Sequence, residues 1–255
     1  MVRVGKKIRT KKGFDDKSYW KKRHTQVSSL RASGLQSVGL RANHYIYKIV
    51  AEQYLVLLNS IDTDSVDSIL DCGYGDGYFL DFFKDNFPTK KLYGIDISEV
   101  SNKKIKPEHD RKKMFVGDLT DFDLRRKFDL VHCFDVLYHI LGEADYRSAL
   151  SNIADHSERY VILHERFFNR VPLITFSHIR FRRSEVTNQI LNAKGFFLYS
   201  EIPSHFFGVR LFSSFIYKIS PSLLYKIDKM IINKFPNHIQ ELLSSHTIRV
   251  YKKAK

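Results

Sequence analysis

From residue 64 to the end of the chain, short apolar runs alternate with segments whose apolar positions recur at helical spacing. The apolar runs predict strands near residues 66–71, 91–96, 113–116, 128–134, 159–164, 196–202 and 247–252. The strongest predicted helices between them cover residues 77–86, 145–155 and 184–194. Such alternation is typical of an α/β domain, so we expect a mostly parallel, doubly wound sheet.

Two parts of the chain do not follow this alternation. Residues 1–63 begin with a basic arm and continue into the apolar stretch NHYIYKIVAEQYLVLLNSI, which predicts a helical cap beside the sheet. Residues 64–255 then form the predicted main domain. Within it, residues 203–246 separate the last two strands by more than 40 residues, which is too long for a hairpin and predicts a helical lid insertion.

Charge is unevenly distributed along the chain, whose net charge is +14. Residues 1–24 hold ten basic and two acidic residues. Residues 62–146 hold twelve basic and eighteen acidic residues, and residues 147–255 hold seventeen basic and seven acidic residues. Basic flanks favour an anionic partner, such as a phosphorylated small molecule, an anionic glycan, RNA or a membrane surface. The amphipathic basic stretch 206–235 is typical of a lid helix, and it also fits peripheral contact with the inner face of a membrane.

Cysteine usage and hydropathy bear on the compartment. Cys72 and Cys133 both fall inside predicted strands, which favours core packing in a reducing compartment over a disulfide framework. No zinc-ligand spacing is present, so we expect no metal. Neither a long apolar run nor a signal-peptide pattern is apparent, and we therefore expect a cytoplasmic protein. The oligomeric state is left open.

The stretch LDCGYGDGYF places glycines at alternate positions directly after the first predicted strand. In α/β sheets such a turn lets the backbone approach a ligand at a helix N-terminus. A dinucleotide fingerprint needs glycine at the sixth position from Gly73, but Tyr78 stands there. The Gly-Lys-Ser/Thr ending of a phosphate-binding P-loop is also missing, so the turn predicts a different nucleotide ligand.

Two carboxylates follow the next strands at informative positions. Asp96 ends the second strand, 19 residues after Gly77, where a carboxylate can accept hydrogen bonds from both ribose hydroxyls. Asp118 follows the third strand, where its carboxylate and the backbone of Leu119 can meet an adenine amino group. Together with the glycine turn, these positions predict an adenosine-containing ligand.

Four segments in succession, LDCGYGDG, YGIDIS, GDL and FDLVHCFDVLYHI, resemble the motifs of the class I S-adenosylmethionine-dependent methyltransferases. The resemblance covers roughly residues 64–202. It implies a Rossmann-like, seven-stranded sheet whose last strand runs antiparallel between the fifth and sixth. It also implies S-adenosylmethionine as cofactor and S-adenosylhomocysteine as product. The cofactor-binding set that follows is Asp71, Gly73, Gly75, Gly77, Asp96, Ile97, Asp118, Leu119, Phe134 and, on the N-terminal arm, Tyr19.

Within this set the resemblance assigns roles. The three glycines line the methionine part of the cofactor, Asp71 supports their loop, and Phe134 lies beside the sulfonium. Methyl transfer to a hydroxyl also benefits from a general base, and histidine suits that task near neutral pH. His139, after the fourth strand, is the first candidate. Asp135 and His164, at the ends of the fourth and fifth strands, are alternatives.

The basic residues that leave the fifth strand suggest where an acceptor binds. Arg166, Arg170 and Arg180 are candidates for an anionic acceptor, because guanidinium groups match phosphate and carboxylate geometry. We expect methyl transfer to a small-molecule or glycan-like acceptor at a hydroxyl oxygen. The alternatives are an RNA methyltransferase that uses the basic arm and a non-catalytic scaffold that binds S-adenosylmethionine.

Overall fold

The computed structural model describes most of the chain, namely residues 15–26, 30–34, 39–166, 175–176, 178–206, 220–244 and 246–254. Its strands are β1 (Ser68–Cys72), β2 (Lys91–Asp96), β3 (Met114–Val116), β4 (Phe128–Phe134), β5 (Ser157–Glu165), β6 (Thr175–Phe176), β7 (Ile179–Arg180), β8 (Phe196–His205) and β9 (His246–Lys253). All seven predicted strands are present. The short β6/β7 hairpin was not predicted.

The helices are α1 (Asp16–Gln26), α2 (Leu30–Ser33), α3 (Leu40–Leu58), α4 (Tyr78–Asn86), α5 (Glu99–Lys104), α6 (Glu143–Asp155), α7 (Ser184–Ala193), α8 (Pro221–Lys234) and α9 (Asn237–Leu243). The three strongest predicted helices correspond to α4, α6 and α7. Arg183 is the N-cap of α7, with its backbone in the extended region. Gly195 follows this helix with φ +81°, the left-handed conformation that glycine adopts at low cost.

Seven strands form one sheet in the order β3-β2-β1-β4-β5-β9-β8. Strands β1 to β5 pair in parallel, whereas β9 runs antiparallel to both β5 and β8. The predicted mostly parallel sheet, with its antiparallel last strand between the fifth and sixth, is therefore confirmed. Because β8 runs in the same direction as β1 to β5, the carboxyl ends of these six strands meet at one edge of the sheet.

The central strands β1 and β4 are buried on both faces of the sheet, which explains their continuous apolar runs. On one face, Leu70 and Val131 pack with Tyr146 of α6. On the other face, Ile69 and Leu130 pack with α3 and α4. Neighbouring strand residues point to opposite faces, and each fully buried apolar side chain contributes about 1.5–3 kcal/mol.

The connection between β8 and β9 contains α8 and α9 among its described residues. Helix α8 lies against α3, where Tyr225 Oη and Lys229 Nζ donate to the Glu52 carboxylate at 2.6 and 2.9 Å. The lid role of 203–246, the division at residue 64 and the membrane contact of 206–235 remain predictions. Within the part of the chain that the structure describes, no helix is long and apolar enough to cross a membrane.

Candidate active site

A cavity lies at the carboxyl edge of the sheet, at the ends of β1, β2, β3 and β4, and helix α1 forms its outer wall. It encloses about 1070 Å³ of empty space, including a part open to solvent. The predicted site residues that line it are Asp71, Gly73, Gly75, Asp96, Ile97, Asp118, Leu119, Phe134, Asp135 and His139. Residues from four strand ends are thus brought together.

The glycine turn folds tightly over the end of β2. Gly73 N donates to Ile95 O at 2.7 Å, with φ +81° at Gly73. At Gly75, with φ +54°, an added Cβ would lie 2.3 Å from Ser33 Oγ. A ligand can therefore approach this backbone closely only because the side chains are missing. Gly77 is the N-cap of α4 and does not line the cavity, so the structure places it behind the turn.

Asp96 connects the second strand to the glycine turn. Its Oδ2 accepts from Gly75 N at 2.9 Å, and its Oδ1 accepts from Ser98 N at 2.8 Å. Burial raises the pKa of Asp96 to about 6, against the opposing effect of these two donors. Each carboxylate oxygen keeps a second lone-pair direction, so the pair of oxygens can still accept from a ligand.

Asp71 is buried at the end of β1 and supplies an unsatisfied acceptor. Among the described residues its Oδ2 has no hydrogen-bond partner, and its Oδ1 lies 3.5 Å from His132 Nε2. Burial, and then the nearby charge of Asp96, raise its pKa well above the ordinary value. A buried acceptor without a partner is costly, and a cationic or hydrogen-bond-donating ligand would relieve that cost.

Asp118 is held by a residue that the sequence did not single out. Lys17 Nζ of α1 lies 2.6 Å from Asp118 Oδ2, and Thr120 donates to Oδ1 through its backbone N and its Oγ1. Burial alone would raise the pKa of Asp118, but these donors hold it below its ordinary value. The contact joins the N-terminal arm to the end of β3.

Helix α1 closes the outer side of the cavity. The Trp20 ring lies 4.5 Å from the His139 ring and lines the cavity, while Asp16 Oδ2 accepts from Leu141 N at 3.1 Å. Tyr19, the predicted cofactor contact on this arm, does not line the cavity and packs near His178, with ring centroids 5.7 Å apart. The arm therefore contributes to the cavity wall through Asp16, Lys17, Trp20 and His24, and not through Tyr19.

His139 ends a short 3-10 helix, Leu137–His139, after β4. Its Nδ1 lies 3.0 Å from the His178 carbonyl oxygen, which can only accept, so Nδ1 carries the proton and Nε2 the lone pair. Burial lowers the pKa of His139 to about 3. The imidazole is therefore neutral at physiological pH.

Asp135 lines the cavity with its backbone at φ +59°, an uncommon conformation for a residue other than glycine. Tyr138 Oη donates to its Oδ1 at 3.1 Å, and His164 Nδ1 lies 3.1 Å from its Oδ2. His164 itself is fully buried and does not line the cavity. Of the three predicted catalytic candidates, Asp135 and His139 thus reach the cavity, and His164 reaches it only through Asp135.

Two of the three predicted acceptor-binding arginines, Arg166 and Arg180, do not line the cavity. The Arg166 guanidinium lies over the Phe181 ring at 4.9 Å, and Arg180 donates to Leu141 O at 2.9 Å beside the Glu143 carboxylate. Arg170 lies outside the described residues. A role for these side chains in acceptor binding stays a prediction.

The sequence profile of the methyltransferase domain family matches residues 41–206, well over half of the chain. The chain therefore belongs to this family, and the resemblance to the class I S-adenosylmethionine-dependent methyltransferases is confirmed. The protein is a methyltransferase of this class. No curated protein matches the sequence.

Solved structures of methyltransferases share the fold. Magnesium protoporphyrin IX methyltransferase from Synechocystis, with bound S-adenosylmethionine, is 16% identical and has a TM-score of 0.59 over 95% of this chain and 99% of that one. The O-methyltransferase from a trans-AT PKS multienzyme of Brevibacillus brevis, in complex with S-adenosyl-L-homocysteine, is 17% identical, with a TM-score of 0.57 over 80% and 72%. The N-methyltransferase NodS from Bradyrhizobium japonicum is 14% identical, with a TM-score of 0.54 over 82% and 97%.

The cavity fits the cofactor of this class. S-adenosylmethionine carries a sulfonium and an ammonium group, and the cavity wall supplies the carboxylates Asp16, Asp71, Asp76, Asp96, Asp118 and Asp135. Among the described residues of that wall, Lys17 is the one lysine, and it already pairs with Asp118. A cavity with this excess of carboxylates favours a cationic ligand.

Proposed function

We propose that the protein transfers the methyl group of S-adenosylmethionine to a hydroxyl oxygen of a small-molecule or glycan-like acceptor. The observation that carries this proposal is His139, a neutral imidazole in the cavity wall whose Nδ1 is held by a carbonyl. Its Nε2 is thereby left as the acceptor of a proton from a hydroxyl group.

The cofactor would lie across the strand ends in the order in which they occur in the sheet. Asp118 and Leu119 at β3 would hold the adenine, Asp96 at β2 would accept from the ribose hydroxyls, and Gly73 at β1 would face the methionine part. This order follows the sheet order β3-β2-β1-β4. The sulfonium would then lie near the end of β4, beside Phe134.

The reaction would need little from the protein apart from alignment and proton removal. When bound, S-adenosylmethionine would supply a methyl group activated by the sulfonium, and the bond to the acceptor oxygen would form as the carbon–sulfur bond breaks with its electrons going to sulfur. The proton of the hydroxyl passes to His139 Nε2. A base whose pKa is about 3 is weak, but the oxygen becomes a far stronger acid as it is methylated, so the proton can pass to Nε2 within the transition state.

The charges in the cavity also restrict the acceptor. Because carboxylates dominate the wall, the reacting part of the acceptor would be uncharged. An anionic group elsewhere on the acceptor would have to extend outside the cavity, toward Arg166 or Arg180. The O-methyltransferase among the similar structures supports transfer to oxygen, whereas NodS is an N-methyltransferase.

Transfer with ¹³C-methyl-labelled cofactor tests this proposal. The purified protein is incubated with small-molecule, glycan and RNA fractions of a cell extract, and the carbon chemical shift of the transferred methyl distinguishes O-methyl from N-methyl products. We expect an O-methyl product in a small-molecule or glycan fraction. His139→Ala should lower its rate about 10²–10⁴-fold without weakening cofactor binding.

Two outcomes would overturn the proposal. Label that enters only the RNA fraction would favour the RNA methyltransferase, and a methyl bound to nitrogen would rule out the hydroxyl acceptor. A His139→Ala variant with an unchanged rate would remove His139 as the base and leave Asp135 as the remaining candidate in the cavity wall.

A further inference from the structure

A chain of four polar side chains leads from the cavity into the sheet. Tyr138 Oη donates to Asp135 Oδ1 at 3.1 Å, and His164 Nδ1 lies 3.1 Å from Asp135 Oδ2. On its other side, His164 Nε2 lies 2.7 Å from Ser204 Oγ of β8. The chain therefore connects the ends of β4, β5 and β8 behind the cavity wall.

The inner members of this chain are completely buried. His164 and Ser204 are both 0% exposed, and their mutual contact satisfies groups that would otherwise be costly to bury. Asp135 N also donates to His164 O at 3.0 Å, which fixes the two residues to each other through the backbone. The left-handed backbone of Asp135 adds strain of a kind that concentrates at functional sites.

These contacts restrict the orientation of the Asp135 carboxylate. A carboxylate oxygen accepts, and Tyr138 Oη is the donor to Oδ1. If Ser204 Oγ donates to His164 Nε2, the proton of a singly protonated imidazole lies on Nδ1, 3.1 Å from Oδ2. The tyrosine on one oxygen and the imidazole near the other thus fix the direction in which the carboxylate points.

We propose that Asp135 is the counter-charge for the cofactor sulfonium, and that Tyr138, His164 and Ser204 are positioning residues that hold its carboxylate at the cavity wall. This inference rests on S-adenosylmethionine as cofactor and not on the identity of the acceptor. Its structural basis is that Asp135 directly follows Phe134 at the end of β4, next to the glycine turn of β1 in the sheet order.

The consequence is a preference for the cofactor over the product. S-adenosylmethionine and S-adenosylhomocysteine share adenosine, ammonium and carboxylate groups, and only the former carries the sulfonium charge. A carboxylate near that charge strengthens binding of the cofactor and not of the product. The ratio of the two dissociation constants therefore reports the charge of Asp135, and it can be measured without an acceptor.

Calorimetric titration of both ligands into the full-length protein tests the proposal. We expect Asp135→Asn to reduce the preference for S-adenosylmethionine about tenfold or more, since an opposite charge at close range changes an equilibrium constant by about one to three powers of ten. Asparagine has the same shape and tolerates the left-handed backbone. The matched control is Asp76→Asn, a second carboxylate of the cavity wall, which should change both affinities by a similar factor.

The positioning residues need a separate readout. Ser204→Ala should reduce the preference about threefold, as expected for one lost hydrogen bond, and Ser204→Thr should restore it. Tyr138→Phe should have an effect of similar size. The ¹⁵N shifts of the His164 ring should change in Ser204→Ala, because the partner of Nε2 that fixes the tautomer is removed.

The counter-charge role of Asp135 would be overturned if Asp135→Asn left the ratio of the two dissociation constants unchanged. It would also be overturned if Asp76→Asn changed that ratio as much as Asp135→Asn does. Unchanged ratios in both Ser204→Ala and Tyr138→Phe would overturn the positioning roles, and these two variants decide the matter if Asp135→Asn does not fold. Failure of the unmodified protein to bind either ligand would instead refute the cofactor assignment.

Discussion

Replacing Gly73 by alanine separates the backbone requirement of the glycine turn from its packing requirement. Gly73 has φ +81°, and a Cβ added there would lie 2.4 Å from Val136 Cγ2 in the cavity wall. Gly195, after α7, has the same φ of +81°, but nothing lies within 4 Å of its added Cβ. Gly195→Ala is therefore a matched control with equal backbone strain and no collision.

The expected losses of folding free energy follow from the backbone strain and from the collision with Val136. A left-handed alanine costs about 1–2 kcal/mol of folding free energy at either position. At Gly73 the displaced Val136 side chain adds about 1–3 kcal/mol, as in other overpacked sites. We therefore expect losses of about 2–5 kcal/mol for Gly73→Ala and about 1–2 kcal/mol for Gly195→Ala. In a domain of this size each kcal/mol lowers Tm by about 2–4 °C.

Urea denaturation and calorimetric titration of S-adenosylhomocysteine are the two assays. Gly195→Ala should bind the ligand as the unmodified protein does, because Gly195 lies between α7 and β8 and does not line the cavity. Gly73→Ala should bind it at least tenfold more weakly, since both the turn and Val136 line the cavity. Equal stability losses and equal affinities in the two variants would refute the close packing of the turn against the end of β4.

Three further predictions address the titratable residues. Asp96→Asn should weaken the binding of S-adenosylmethionine and of S-adenosylhomocysteine by the same factor, about 10–100-fold. Both ligands contain the ribose, and a hydrogen bond to a charged group is worth about 1.5–3 kcal/mol. Unequal changes of the two dissociation constants in calorimetry would argue against a contact between Asp96 and the ribose. Burial raises the pKa of Glu165 from 4.5 to about 8, so its stabilising effect is present below about pH 4.5 and is lost as the pH rises toward 8. At about 1.4 kcal/mol for each pH unit, the free energy of unfolding should fall by several kcal/mol over this range. Glu165→Gln should remove this pH dependence from unfolding free energies measured between pH 5 and 8.5. Parallel curves of unfolding free energy against pH for the variant and the unmodified protein would contradict the prediction. Because burial lowers the pKa of His139 to about 3, the rate of methyl transfer should show no inflection from this residue between pH 5 and 8, and an inflection near pH 6.5 that disappears in His139→Ala would show that it titrates normally.

The strands and the glycine turn were predictable because their signals are local. Apolar runs mark the central strands, such as β1, whose five residues are all buried, and the alternate glycines mark a turn that needs left-handed backbone. The meeting of Asp96 with Gly75 was also predictable, since parallel strands bring their carboxyl ends to one edge. Sequence position and sheet topology together suffice for these contacts.

The contribution of the arm was less predictable. Helix α1 is polar on nearly all sides, so no apolar stripe indicates which face it presents to the cavity. Its pairing of Lys17 with Asp118 and of Trp20 with His139 joins residues about 100 positions apart. The one available signal was Trp20, the only tryptophan of the chain, in an otherwise charged segment.

The arginines show why a charge count alone misleads about the acceptor. Arg180 donates to the carbonyl of Leu141 and lies beside Glu143, both about 40 positions earlier in the chain, so it ties the β6/β7 hairpin to the loop after His139. A guanidinium group that holds carbonyl oxygens is as basic in the sequence as one that binds phosphate, and only the tertiary contacts distinguish the two. At the end of β4 the cavity wall is instead supplied by Asp135 and the neutral His139. The proposal of an uncharged hydroxyl acceptor therefore rests on this wall and not on the net charge of +14.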